Sequence, residues 1–274
     1  MRTPLRTALA VLLCLAALSS ADASAADGCR ERVYDLLKQA YPGAASETGD
    51  DGELLRTAGA NPRWIDVEHG AICKVWPAEP DKTLLAVQLG HEAAINPNGA
   101  TADLELLIVD SAQPRILQRY RQDDALVSDA VRVGALILDT ARYRLNEDTT
   151  AFGLRIEYIG SSRANPYGAT VLNLYAIRDG ALRPVLQGLE VALSRGVWDT
   201  NCAGEFSSVR RTVAIDAKRD HGYAGLLVNS AEESSRAVVD GKDCKEKNVV
   251  KNKSSVRVAF DGREYVVPKS LRGL

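Results

Sequence analysis

A succession of short apolar runs, each cut off by turn residues, constrains this chain more than any other feature. The runs are Ala71–Trp76, Thr83–Leu89, Leu104–Asp110, Arg115–Arg121, Val131–Leu138, Ala151–Ile159, Thr170–Ile177, Leu182–Val191, Val209–Ile215, Tyr223–Asn229, Ser255–Phe260 and Glu264–Val267. Rich in Val, Ile, Leu and Tyr and bounded by turn formers, they read as β-strands. Asp179-Gly180 joins LNLYAIR to ALRPVLQ, and Asp261-Gly262 joins VRVAF to REYVV. An Asp-Gly link between alternating runs signals a hairpin, because both residues tolerate the positive φ of a type I′ turn. No long run of 3.6-residue period follows Lys82, so βαβ units are not expected and the sheets should be antiparallel. The expected fold is mainly β: antiparallel meanders, arranged as a two-lobed sandwich or a small propeller-like assembly, with one N-terminal helix.

That helix is predicted over Cys29–Ala40, where Val33, Leu36, Leu37 and Ala40 keep helical spacing and Pro42-Gly43 stops it. Residues 43–63 read as a surface loop with one helical turn around Leu54-Leu55. An internal echo runs from Leu104…Gln118 to Leu172…Gln187. It suggests a duplication over about 103–160 and 171–230, although any meander of Leu and Val strands looks self-similar. No Pro/Ser-rich linker divides residues 26–274, which read as one domain.

The N-terminal stretch 1–25 has the three parts of a cleaved export signal: a positive start at Arg2 and Arg6, an apolar stretch Ala8–Leu18, and the small-x-small site Ala23-Ser24-Ala25. Its apolar part is too short to span a bilayer, and no later segment is long enough to serve as a transmembrane anchor. The expected location is periplasmic or secreted. Cleavage removes Cys14 and leaves Cys29, Cys73, Cys202 and Cys244 in an oxidising compartment. Three pairings are possible; the 44-residue and 42-residue gaps favour Cys29–Cys73 and Cys202–Cys244. Each staple should contribute about 3–4 kcal/mol on the chain-entropy account. A Cys₄ zinc site needs paired C-x₂₋₄-C spacing, which is missing, so no metal and no cofactor is expected.

The chain carries 34 Lys+Arg against 36 Asp+Glu, which argues against a nucleic-acid binder. The charge is uneven: residues 240–274 hold 9 basic and 5 acidic residues. Lys242, Lys245, Lys247, Lys251 and Lys253 suit weak contact with an anionic surface, or simply a solvated loop beside a disulfide.

Catalytic signatures are scarce. His91-Glu92 resembles the start of H-E-x-x-H but has Ile95 in place of the second ligand. There is no G-x-S-x-G elbow. Asp123, Asp124, Asp199 and Glu205 are the loop carboxylates that a glycan or peptide hydrolase would use, and ordinary solvated acids are the plainer reading. Two loops stand out for binding. Trp198, Asp199, Asn201, Glu205 and Phe206 surround Cys202, and Arg163 and Tyr167 lie in Ser161–Gly168. Aromatics on a pinned loop suit recognition, while Trp beside a disulfide is also ordinary core packing. The expectation is an exported, non-catalytic binding protein for a protein or an envelope glycan. The alternatives are an envelope hydrolase and an envelope-structural role for the basic tail.

Overall fold

The computed structural model describes residues 29–49, 52–93, 100–113 and 115–273, and the expected signal, 1–25, lies outside the described residues. The chain is mainly β, and among the described residues it has two seven-stranded antiparallel sheets and one α-helix. The helix, α1 (Val33–Ala40), buries Val33, Leu36, Leu37 and Ala40 on one face. The first sheet runs β1 (Ala45–Gly49), β2 (Gly52–Arg56), β3 (Trp64–Asp66), β5 (Lys82–Gly90), β6 (Ala100–Asp110), β7 (Ile116–Ser128), and β4 (Ala71–Val75) also pairs with β5. The second is a sequential meander of β8 (Val131–Arg144), β9 (Thr150–Gly160), β10 (Tyr167–Arg178), β11 (Ala181–Trp198), β12 (Gly204–Asp220), β13 (Tyr223–Asp240) and β14 (Asp243–Val258). It is a stack of sheets rather than a propeller. The stretch 103–160 spans both sheets, whereas 171–230 lies within the second.

Strand β6 shows why the layers stack. Its residues 103–109 are all buried, as expected of a strand covered on both faces. Leu107 and Val109 pack with Leu85, Val87 and Leu89 against α1. Leu104, Leu106 and Ile108 face the second sheet, meeting Leu136, Leu138, Phe152, Leu154, Ile156 and Tyr175. Trp76 and Phe152 meet edge to face with centroids 5.5 Å apart, and Phe152 stacks on Tyr175 at 5.9 Å. The cysteines pair as Cys29–Cys73 and Cys202–Cys244, with Cα–Cα distances of 6.0 and 5.5 Å. Among the described residues no helix is long and apolar enough to cross a membrane.

A third core sits within the second sheet. β11 pairs with β12 only from Ala192↔Arg210 to Trp198↔Gly204. Beyond that stretch the two strands part. The opening between them holds Leu172, Leu174, Val185, Leu186, Leu189, Leu226 and Val228, with Phe260, Tyr265, Val267 and Leu271 of the C-terminal segment. That segment is tied to β11 by Tyr265 N→Val185 O at 2.8 Å and Gly273 N→Gly188 O at 3.0 Å. The Tyr265 hydroxyl donates to Ala224 O of β13 at 2.6 Å.

Three expectations need correction. Residues 43–63 contain the β1–β2 hairpin rather than a loop with a helical turn, paired from Ala45↔Arg56 to Gly49↔Gly52. Leu55 is fully buried against α1, and β1 is too short and polar to register as a strand in sequence. Glu264–Val267 is not a strand. Tyr265 makes isolated bridges to Leu186 and Phe260, because the segment wraps over the opening instead of joining a ladder. Asp261-Gly262 accordingly joins no two strands; Asp261 Oδ1 accepts the amides of Arg263 and Glu264, both at 2.8 Å. Asp179-Gly180 does form the expected hairpin turn, with φ of 50° and 74°.

Truncating the interlayer aromatic Phe152 to Ala should cost about 3–5 kcal/mol, while Val197→Ala on the exposed end of β11 should change stability by under about 0.5 kcal/mol. Urea unfolding of the two variants checks the contrast.

Candidate functional site

Strands β11–β14 run far past the core. Their distal halves form a four-stranded arm over Leu193–Trp198, Gly204–Arg210, Ala231–Asp240 and Asp243–Lys253. The arm exposes Val197, Val239, Val249 and Val250. Pairing fixes what each face carries, because directly opposed residues share a face and neighbours along a strand alternate. One face carries the rows Ser194–Ser208–Glu233–Lys251, Gly196–Phe206–Ser235 and Trp198–Gly204–Ala237–Glu246. The other carries Arg195–Ser207–Ser234–Val250 and Val197–Glu205–Arg236–Lys247.

The two loops picked out in the sequence meet here. Gly196 N donates to Pro166 O at 3.0 Å, and Trp198 N donates to Ala164 O at 2.7 Å, so the 161–168 loop lies along the end of β11. Together they shape a shallow cleft of about 370 Å³ lined by Pro166, Ser194, Arg195, Phe206, Ser207, Ser208, Glu233, Ser235 and Glu246. The Phe206 ring lies across two glycines. A methyl group at Gly196 would come within 2.6 Å of Phe206 Cδ1, and one at Gly204 within 2.9 Å of Cζ. Absence of side chains at these two positions therefore lets the ring lie down on the sheet.

The other sequence candidates distribute around this cleft. Trp198 sits half-buried one row nearer the tip. Glu205 lies on the opposite face, 3.8 Å from Arg236. Asp199 shapes the tip turn, where its Oδ1 accepts the amides of Asn201 at 2.9 Å and Cys202 at 2.8 Å. Those amides hold its carboxyl below the ordinary range. Asn201 and Arg163 are exposed, and Tyr167 is half-buried opposite Arg195 in the ladder.

The carboxylates named for hydrolysis do not come together. Asp123 and Asp124 sit in the irregular part of β7, where Ala102↔Leu126 is followed by Leu104↔Gln122; Asp199 and Glu205 are on the arm. Asp124 does join a cluster hidden from sequence reading. Fully buried Asp103 receives Arg63 Nε at 2.8 Å, Arg121 Nη2, His91 Nε2 at 2.7 Å and the Asp124 amide at 2.9 Å. His91 Nε2 also lies 3.5 Å from Asp124 Oδ1. Grouped His91, Asp103 and Asp124 have the donor types of a metal site. Two guanidinium groups already neutralise Asp103, so an added cation would meet repulsion, and the cluster reads as an ion-paired lock. Burial alone raises the Asp103 carboxyl, but the bonds from His91, the Asp124 amide, Arg63 and Arg121 outweigh it and hold the group well below the ordinary range. An acid held ionised in this way cannot serve as a proton donor at neutral pH. Two residues along β6, Glu105 accepts the Tyr41 hydroxyl and Arg119 Nη1 at 2.9 Å, while Arg119 Nη2 donates to Ala40 O at 2.7 Å. This second cluster fixes the end of α1.

A larger cleft of about 470 Å³ opens between the sheets beside the C-terminal segment, lined by Gln122, Tyr158, Asn173, Gln187, Glu264, Arg272 and neighbours. Those residues are scattered over half the chain, and no sequence signal links them. In comparison with known proteins, the chain matches no family model, no curated protein and no solved structure.

Asp103→Asn should cost about 1–3 kcal/mol at neutral pH, because it weakens the charge-assisted hydrogen bonds from Arg63, Arg121 and His91 to a buried group. The folded-state pKa of Asp103 lies below its unfolded value. Its contribution is therefore complete above the unfolded pKa of ~3.9 and is lost as pH falls through the lowered folded value. Denaturation of the native protein and Asp103→Asn across acid pH should show the difference between them shrinking below that point.

Proposed function

We propose that the protein is a non-catalytic binding protein of an oxidising compartment, and that the arm holds a glycan over Phe206. The observation that carries this reading is the Phe206 ring laid flat across Gly196 and Gly204 in a cleft fringed by hydroxyls and carboxylates. A flat aromatic face offers apolar contact to the C–H face of a sugar ring. Ser194, Ser208 and Ser235 offer hydroxyls that both donate and accept, and Glu233 and Glu246 offer strong acceptors for sugar hydroxyls. A protein partner would be served better by a broad apolar patch with buried anchors. Here the exposed valines are dispersed over both faces and the tip of the arm. Two disulfides fit the compartment.

The test is calorimetric titration with a panel of neutral envelope-type oligosaccharides. Phe206→Ala should weaken binding at least about tenfold, or roughly 1.4 kcal/mol, with little change in Tm. Gly196→Val should do the same by displacing the ring. Native protein that binds none of the panel at millimolar ligand would sink the proposal.

A further inference from the structure

The free edge of β14 carries a second, independent inference. β14 ends the second sheet, and every residue from Asp243 to Ser255 is exposed. Such an edge is an open ladder. It holds Lys245, Lys247, Lys251 and Lys253, and at its middle Val249 and Val250 are 44% and 52% exposed. The ladder to β13 is interrupted at that point. Lys247 pairs with Arg236 and Val250 with Ser234, so Asn248 and Val249 together oppose Ser235, and Asn248 has a φ of 55°. This is a β-bulge, and it switches which residues face each side of the sheet. Lys245 and Lys247 share the face of Val250, Asn252 and Ser254; Lys251 and Lys253 share the opposite face with Glu246.

We propose that β14 pairs antiparallel with β14 of a second copy about a two-fold axis at Asn248–Val249. A two-fold axis normal to the sheet keeps each face on its own side, and opposed residues must share a face. In an unbroken strand, that condition opposes odd positions to odd positions. All four lysines are odd-numbered, so such registers readily bring lysine against lysine. The bulge reverses the condition on its two flanks and demands odd against even, which removes every such clash among the four. In the register centred on the bulge, Asn248 meets Val249, Lys247 meets Val250, Lys245 meets Asn252, and Glu246 meets Lys251. Symmetry gives the Glu246–Lys251 pair twice. The lysines and the bulge repel generic edge partners while leaving this self-pairing charge-matched. Both Phe206 clefts then lie on the same side of one continuous ribbon. The pairing does not depend on what the clefts bind.

Sedimentation across a concentration series tests it. Native protein should pass from one to two copies per particle. Glu246→Lys and Lys251→Glu should each weaken association about tenfold, since each replaces two attractive cross-strand pairs with two repulsive ones. The double variant Glu246→Lys/Lys251→Glu should restore association to near the native level. Circular dichroism and non-reducing electrophoresis confirm that each variant keeps its fold and disulfides. A protein monomeric at every concentration overturns the proposal. So does a dimer indifferent to the single reversals, or single reversals that the double variant fails to rescue.

Discussion

The fold turns on how the edge of β11 is satisfied. A buried strand cannot leave its amides and carbonyls unpaired, yet β12 serves β11 only from Ala192 to Trp198. Over the rest of β11 the C-terminal segment supplies what β12 does not, through Tyr265 N→Val185 O and Gly273 N→Gly188 O. Its side chains Phe260, Tyr265, Val267 and Leu271 fill the space between the parted strands. The Tyr265 hydroxyl then reaches across to Ala224 O. One sheet thereby serves two purposes. Its near half packs on the first sheet and on this wedge, and its far half is left as an arm with no core of its own.

An arm of that kind needs support from elsewhere. A ribbon without a packed face is marginal in water, and dispersed valines such as Val197 and Val239 do not amount to a core. Continuity with buried β10, the near half of β11 and the buried start of β13 supplies most of the order, and Cys202–Cys244 ties the tip turn to the start of β14. The same logic places the other disulfide. Helix α1 has eight residues, too few for independent stability. It is held by its apolar stripe, by Cys29–Cys73 at its start, and by the Tyr41–Glu105–Arg119 cluster at its end. One covalent link thus stands where apolar burial is thin, and the other pins a helix too short to hold itself.

This pattern also explains what the sequence could reveal. β6 was legible because a strand buried on both faces must be apolar throughout, as Leu104-Glu-Leu-Leu-Ile-Val is apart from Glu105. Helix α1 was legible from Val33, Leu36, Leu37 and Ala40, and the disulfides from two matched gaps. The full length of β11–β14 was not, because arm residues such as Ser207, Ser208, Ser234 and Ser235 face solvent and carry no apolar alternation. The wedge was illegible for a different reason: Tyr265 and Val267 alternate like a strand but bridge two strands instead of extending a ladder. The site followed the same division. Trp198 and Phe206 were marked by aromatics near a cysteine, and the 161–168 loop by Arg163 and Tyr167. The glycines beneath Phe206 gained meaning only once cross-strand register placed Gly196 and Gly204 on either side of it.

The contrast between Asp103 and the arm separates structural polarity from functional polarity. In sequence, Asp103, Glu105, Glu233 and Glu246 are equivalent acids on β-strands. In the fold, Asp103 and Glu105 are buried and enclosed by Arg63, Arg119, Arg121 and His91. Their hydrogen-bonding capacity is met inside the protein, and altering them reads out as stability. Glu246 stands exposed on the rim of the Phe206 cleft. Glu233 shares that rim with only a surface lysine, Lys251, at 2.9 Å, a contact that contributes little in water. Such acids keep most of their capacity to accept hydrogen bonds from a ligand, and they do so beside an aromatic ring that packs into no core. The proposed recognition therefore falls to the arm, while the denser ionic clusters of the first sheet hold the fold.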